Sequence, residues 1–166
     1  MKKSLFLVAV LGAVLLLTQL SGQAIAGFQE SRWQIMDLLA NAWQNDYAVA
    51  KSGWEWSDLR DGTPRWMNDV RGKYVYELIG SPIKKATLLG ELGGTEQSGW
   101  ELGCRLINLI EAVGLSESKA QEISQTLFNA TVPDPGAKYY VDSGGIRVEL
   151  IYYDSMGAFM LILSKS

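Results

Sequence analysis

The chain contains no histidine and only one cysteine, Cys104. The missing imidazole removes Ser–His and Cys–His nucleophilic systems, which need it to move a proton. The two scarcities together remove structural zinc and most catalytic zinc sites. A lone cysteine allows no internal disulfide, so the fold has to rest on packing. Cys104 stands between Leu102 and Leu106, as a small buried hydrophobe would. There is no Walker loop and no dinucleotide fingerprint, since Gly90 to Gly94 lacks the Lys-Ser/Thr that would hold phosphate. Asp58 to Gly62 supplies only fragments of a calcium loop. A basic excess is also absent. The net charge is −3 and no Lys/Arg cluster occurs, which argues against nucleic acid and anionic lipid as partners. No catalytic residue, metal or cofactor is assigned.

The residues that are present begin with a leader. Lys2 and Lys3 form a positive start, and Leu5 to Leu20 is apolar except for Gly12 and Thr18. Ala24-Ile25-Ala26 then reads as a small-x-small cleavage site. This is the pattern of a secretory signal peptide. The expected organisation is a signal peptide over residues 1–26 and a single α+β domain over 27–166, located in the periplasm or secreted. No Cys closes the leader, so no lipid anchor is expected, and cleavage would leave no stable membrane anchor.

Apolar spacing of three and four residues predicts a helix from Gln29 to about Lys51, through Trp33, Met36, Leu39, Trp43 and Tyr47. Trp54 to Gly62 reads as a loop or single turn. Thr63-Pro64 has the look of a helix start, with Met67, Val70, Tyr74 and Leu78 as the stripe of a helix to Ile79. Ser81-Pro82 repeats the signal for a short helix to Leu89. Trp100 to Val113 reads as helix, and Ser118 with Gln121 as a capping box opening another to Asn129. After Pro133 the period changes. Lys138 to Asp142, Ile146 to Asp154 and Ala158 to Ser164 alternate as strands, joined by turns at Ser143-Gly144-Gly145 and Ser155-Met156-Gly157. The expected fold is α+β, with several helices packed on a C-terminal three-stranded antiparallel sheet.

Two groups of residues are candidates for function. Trp54, Trp56, Arg60, Arg65 and Trp66 have the composition of a binding hot spot, where Trp and Arg are over-represented. Glu55, Asp58 and Asp61 lie among the same tryptophans. A carboxyl against an indole can act as a general acid and a second carboxylate could complete a glycosidase pair, so a carbohydrate-binding or glycan-hydrolysing role for Trp54 to Asp61 is an alternative. The second group is Ile151, Tyr153, Met160 and Ile162. They stand on the strand face opposite Val148, Leu150, Tyr152, Phe159, Leu161 and Leu163, where a sheet covered on one side would carry polar residues. They are interface candidates.

Arg65 to Val70, Tyr74 to Ile79 and Gly80 to Glu91, with Leu88-Leu89-Gly90 near the end, resemble the helix pair of the SmpA/OmlA-like superfamily of small bacterial envelope proteins. The resemblance implies a helix pair on a three-stranded antiparallel sheet and action through binding, and it assigns no residue a role. The expected function is that of an exported, non-catalytic protein-binding or inhibitor-type protein with a protein partner in the envelope or outside the cell. A structural subunit assembling through its sheet is the further alternative, which makes an oligomer an expectation to test.

Overall fold

The computed structural model describes residues 31–42 and 47–166. The leader and Trp43 lie outside them. Among the described residues the order is α1 (Arg32–Ala40), β1 (Glu55–Asp58), β2 (Pro64–Val70), β3 (Tyr74–Ile79), β4 (Lys85–Glu91), α2 (Glu96–Ala112), α3 (Glu117–Thr131), β5 (Lys138–Ser143), β6 (Ile146–Tyr153) and β7 (Ala158–Lys165). All seven strands join one antiparallel sheet in the order β1-β2-β3-β4-β7-β6-β5. This overturns the expected three-stranded sheet. The three C-terminal strands are half of a larger sheet, and its other half is built from residues 55–91, expected to be loop and helix.

The physical reason lies at three reversals. Arg71 and Gly72 both have positive φ, 59° and 68°, and the Lys73 N–H donates to the Val70 carbonyl at 3.2 Å. That mirror-type turn matches the twist of paired strands and folds residues 64–79 into a hairpin. Trp66 then faces Leu78, and Asn68 faces Tyr76. The apparent helical stripe Met67, Val70, Tyr74, Leu78 is a coincidence of two strands read through their turn. At the next reversal Ser81-Pro82, with a cis peptide bond, begins a turn between β3 and β4 and no helix. On the β1 side, the Thr63 N–H donates to Asp61 Oδ1 at 2.9 Å, and Leu59 N–H donates to the Thr63 carbonyl at 2.9 Å. Thr63 therefore closes a hairpin where a helix cap was expected.

The helices have identifiable starts. Ser31 and Gln34 form a capping box on α1, and Thr95 and Ser98 form one on α2. Ser116 caps α3, two residues before the expected Ser118, and Gln121 donates to Glu117 Oε1 at 3.1 Å. Side-chain acceptors at these positions satisfy the free N–H groups of the first turn. Gly90, expected to end a helix, sits within β4 under α2. A Cβ there would lie 2.6 Å from Leu102 Cδ1 and 2.9 Å from Tyr74 Cδ1, so the glycine lets helix and sheet approach.

One face of the sheet is covered. Trp66, Tyr74, Tyr76, Leu78, Leu88, Val148, Leu150, Phe159, Leu161 and Leu163 share a single core with α1, α2 and α3. α2 is central, with every residue from Leu102 to Ile110 buried. Phe159 stacks on Tyr152 at 4.5 Å and meets the edge of Phe128 from α3 at 4.8 Å. The other face of the sheet has no helix on it among the described residues.

Candidate functional site

Alternation along the strands sends one residue to the core and the next to the uncovered face. The pairing places Val75 beside Leu89, Leu89 beside Met160, and Met160 beside Ile151. An apolar row therefore crosses β3, β4, β7 and β6. Ile162 lies in the next row, between Thr87 and Glu149, and Tyr153 follows Ile151 along β6. The four interface candidates thus share one face. Ile151 is only 3% exposed yet lies outside the core cluster. Tyr153, Met160 and Ile162 are half-buried, and Leu89 is 39% exposed.

Charges frame this row. Arg65 lies 3.7 Å from Glu77, Lys138 lies 3.3 Å from Glu149, and Arg147 forms a fork with Asp142 at 2.9 and 3.0 Å while covering the exposed ring of Tyr140 at 4.4 Å. The hydrogen-bonded Arg147 guanidinium holds the Asp142 carboxyl below its ordinary range. The Lys138–Glu149 and Arg147–Asp142 pairs, which join β5 to β6, keep the β5 edge charged and solvated, as exposed sheet edges require. Sequence reasoning missed Leu89 and Val75 because both were assigned to helices.

The tryptophan and arginine group does not converge as expected. Arg65 faces the uncovered side, beside Ser57, to whose Oγ its Nε donates at 3.1 Å. Trp66 and Trp56 are opposite one another on β2 and β1 and face the helical side. Trp66 is buried and Trp56 is 63% exposed. Trp54 is half-buried against the edge of Tyr76 at 6.4 Å, with its indole N–H buried and unpaired. Arg60 is exposed in the turn between β1 and β2. What joins Trp66 is α1. Arg32 lies over the rings of Trp33 and Trp66 at 4.6 and 4.5 Å. Trp33, expected on the apolar stripe of its helix, points outward and is 62% exposed, because Ile35, Met36 and Leu39 form the inner side.

The carboxylates do not make a glycosidase pair. Glu55 pairs with Met67 and Asp58 with Pro64, an odd number of residues apart on β1, so they leave opposite faces and share no cleft. The Asp61 carboxyl is held below its ordinary range by the Thr63 backbone N–H, which ties it to the turn. Among the described residues no group of His, Cys, Asp and Glu is placed to hold a metal ion, and no helix is long and apolar enough to cross a membrane.

The most buried charge was not anticipated. Arg105 is 1% exposed, and its guanidinium donates to Glu101 Oε1 at 2.9 and 3.0 Å, to the Tyr47 carbonyl at 3.2 Å and to the Tyr76 hydroxyl at 3.4 Å. It also lies over the Tyr74 ring at 4.5 Å. Burial pushes the Tyr74 and Tyr76 phenols and the Cys104 thiol each up to about 12, so the thiol is an unreactive neutral group at ordinary pH. Arg105 is sealed while Glu101 keeps contact with solvent, and the guanidinium ties α2 to β3 through the Tyr76 hydroxyl.

No family model, curated protein or solved structure matches this chain. Its functional reading therefore rests on its own geometry.

Proposed function

We propose that the protein is an exported, non-catalytic binding protein that docks a protein partner on the uncovered face of its sheet. The observation that carries this reading is the continuous row Val75, Leu89, Met160 and Ile151, with Ile162 and Tyr153 beside it. An apolar strip framed by ion pairs has the layout of a binding patch, with a dry centre and a polar rim. The leader pattern of residues 1–26 supports the export part of the proposal.

The test is capture of partners from an envelope extract by the full chain, in parallel with a Leu89→Lys/Met160→Lys variant. A protein retained by the native chain and lost from the variant, with unfolding midpoints matched, is the expected result. Equal retention by both, or retention by neither, would sink the reading. Self-assembly through the same face is the second reading. Sedimentation over a rising concentration series separates the two, because assembly requires the native chain to gain mass while the variant stays monomeric.

A further inference from the structure

We propose that Arg32, clamped between Trp33 and Trp66, receives the carboxylate of an acidic sugar, and that the adjoining groove takes the sugar ring. The centres of the two indole rings lie 4.6 and 4.5 Å from the guanidinium carbon, and the cation–π contacts restrict where the donor fork can go. Among the described residues, no acidic group makes an ion pair with Arg32, Arg60 or Arg71, whereas Arg65, Arg105 and Arg147 each face a Glu or Asp. Of the three without such a pair, Arg32 is the one that lies over aromatic rings. An arginine held over two rings, with its fork unpaired among the described residues, is set to take a carboxylate through two parallel N–H bonds.

The open groove beside it has a volume of about 450 Å³, within the size range of small-molecule sites. Ser31, Trp33, Ser81 and Pro82 contribute to its walls. It thus offers an indole, short hydroxyls and one fixed cation. A uronic acid presents the matching set: an apolar C–H face, hydroxyls and a carboxylate. Peptides are commonly gripped through a strand edge or an apolar groove between helices. Here the walls are a helix end and the turn after β3, which provide neither. The site lies on the helical side of the sheet, so it stands or falls independently of partner docking on the uncovered face.

The experiment titrates the full chain with tetragalacturonate, with neutral chitotetraose and with a glutamate-rich hexapeptide. Tryptophan fluorescence and the side-chain N–H signals of Arg32 and Trp33 report binding. Saturable binding of tetragalacturonate is expected, with both N–H signals shifting and with chitotetraose at least about tenfold weaker. Arg32→Gln and Trp33→Ala should each weaken the uronate about tenfold or more, and Arg32→Lys should fail to restore it, because a point charge lacks the fork. The proposal is overturned by no saturable uronate binding, by equal affinity for the neutral sugar, by preference for the peptide, or by an unchanged affinity in folded Arg32→Gln. Should that variant not fold, the native titration decides alone: signals of Arg32 and Trp33 that stay put while others move also overturn it.

Discussion

Arg105 donates to Glu101 at 2.9 Å from one turn further along α2, and this ion pair is packed against two tyrosines of β3. Its members are unequal, since Arg105 is sealed and Glu101 keeps contact with solvent. Glu101→Gln leaves the guanidinium buried without its counter-charge and should lower the unfolding free energy by about 3 kcal/mol. Arg105→Met removes the buried charge itself and leaves Glu101 free to hydrate, so it should cost less. Urea unfolding of the two variants measures the order, and the reverse order would refute this account.

Leu88 and Leu89 are neighbours in sequence on opposite sides of β4. Leu88 is in the core and Leu89 is on the uncovered face. Leu88→Ala should cost about 2–5 kcal/mol through the cavity it leaves. Leu89→Ala should cost under about 1 kcal/mol. Chemical denaturation of both variants checks the one-sided covering of the sheet, and similar costs would contradict it.

Gly90 is where α2 comes down on β4. Gly90→Ala would place its methyl against Leu102 and Tyr74 and should destabilise the protein by about 1–3 kcal/mol. A paired Gly90→Ala/Leu102→Ala variant should recover part of the Gly90→Ala loss relative to Leu102→Ala alone. Full additivity in the double-mutant cycle would remove the steric explanation.

Glu111, near the end of α2, has its carboxyl pushed up to about 7 by burial, with the Glu117 charge adding to it. The folded chain then holds this proton more tightly than the unfolded chain does. Its contribution to stability is fully present below the ordinary value of 4.5. It is lost progressively as pH rises to about 7 and is level beyond that. Glu111→Gln should flatten this part of the stability–pH curve, as read by urea midpoints between pH 4 and pH 8. A variant curve parallel to that of the native chain would exclude the assignment.

Periodicity was informative where one kind of element filled the window. Leu102, Leu106, Leu109 and Ile110 marked α2 because they recur on one helix, and Val148 to Tyr152 marked β6 because a hairpin with glycines at 144 and 145 follows β5. Residues 64–91 were illegible for a definite reason. On β2 the inward positions include the polar Asn68, and on β3 and β4 the outward positions include Val75, Ile79 and Leu89, so neither face reads as the apolar one. Two strands and a three-residue reversal then mimic a helical stripe. The reversal signal was Arg71-Gly72, which carries the chain through positive φ. The uncovered face was legible in part: Ile151, Tyr153, Met160 and Ile162 stood out as apolar where polar residues belong, but their neighbours in the row come from strands that had not been recognised. The stack of Arg32 on Trp33 and Trp66 joins residues more than thirty positions apart in sequence, and no local pattern announces it.

The pairing of β4 with β7 has a kinetic consequence. Each half of the sheet is a meander of neighbouring strands, so its contacts are local and fast to form. The seam between the halves joins Glu91 to Ala158 and Lys85 to Ser164, the pairing with the largest sequence separation in the sheet, so it carries the largest loop-closure cost. Until it closes, β4 and β7 each present a raw edge able to pair with another molecule. Refolding should therefore be paced by closure of this seam.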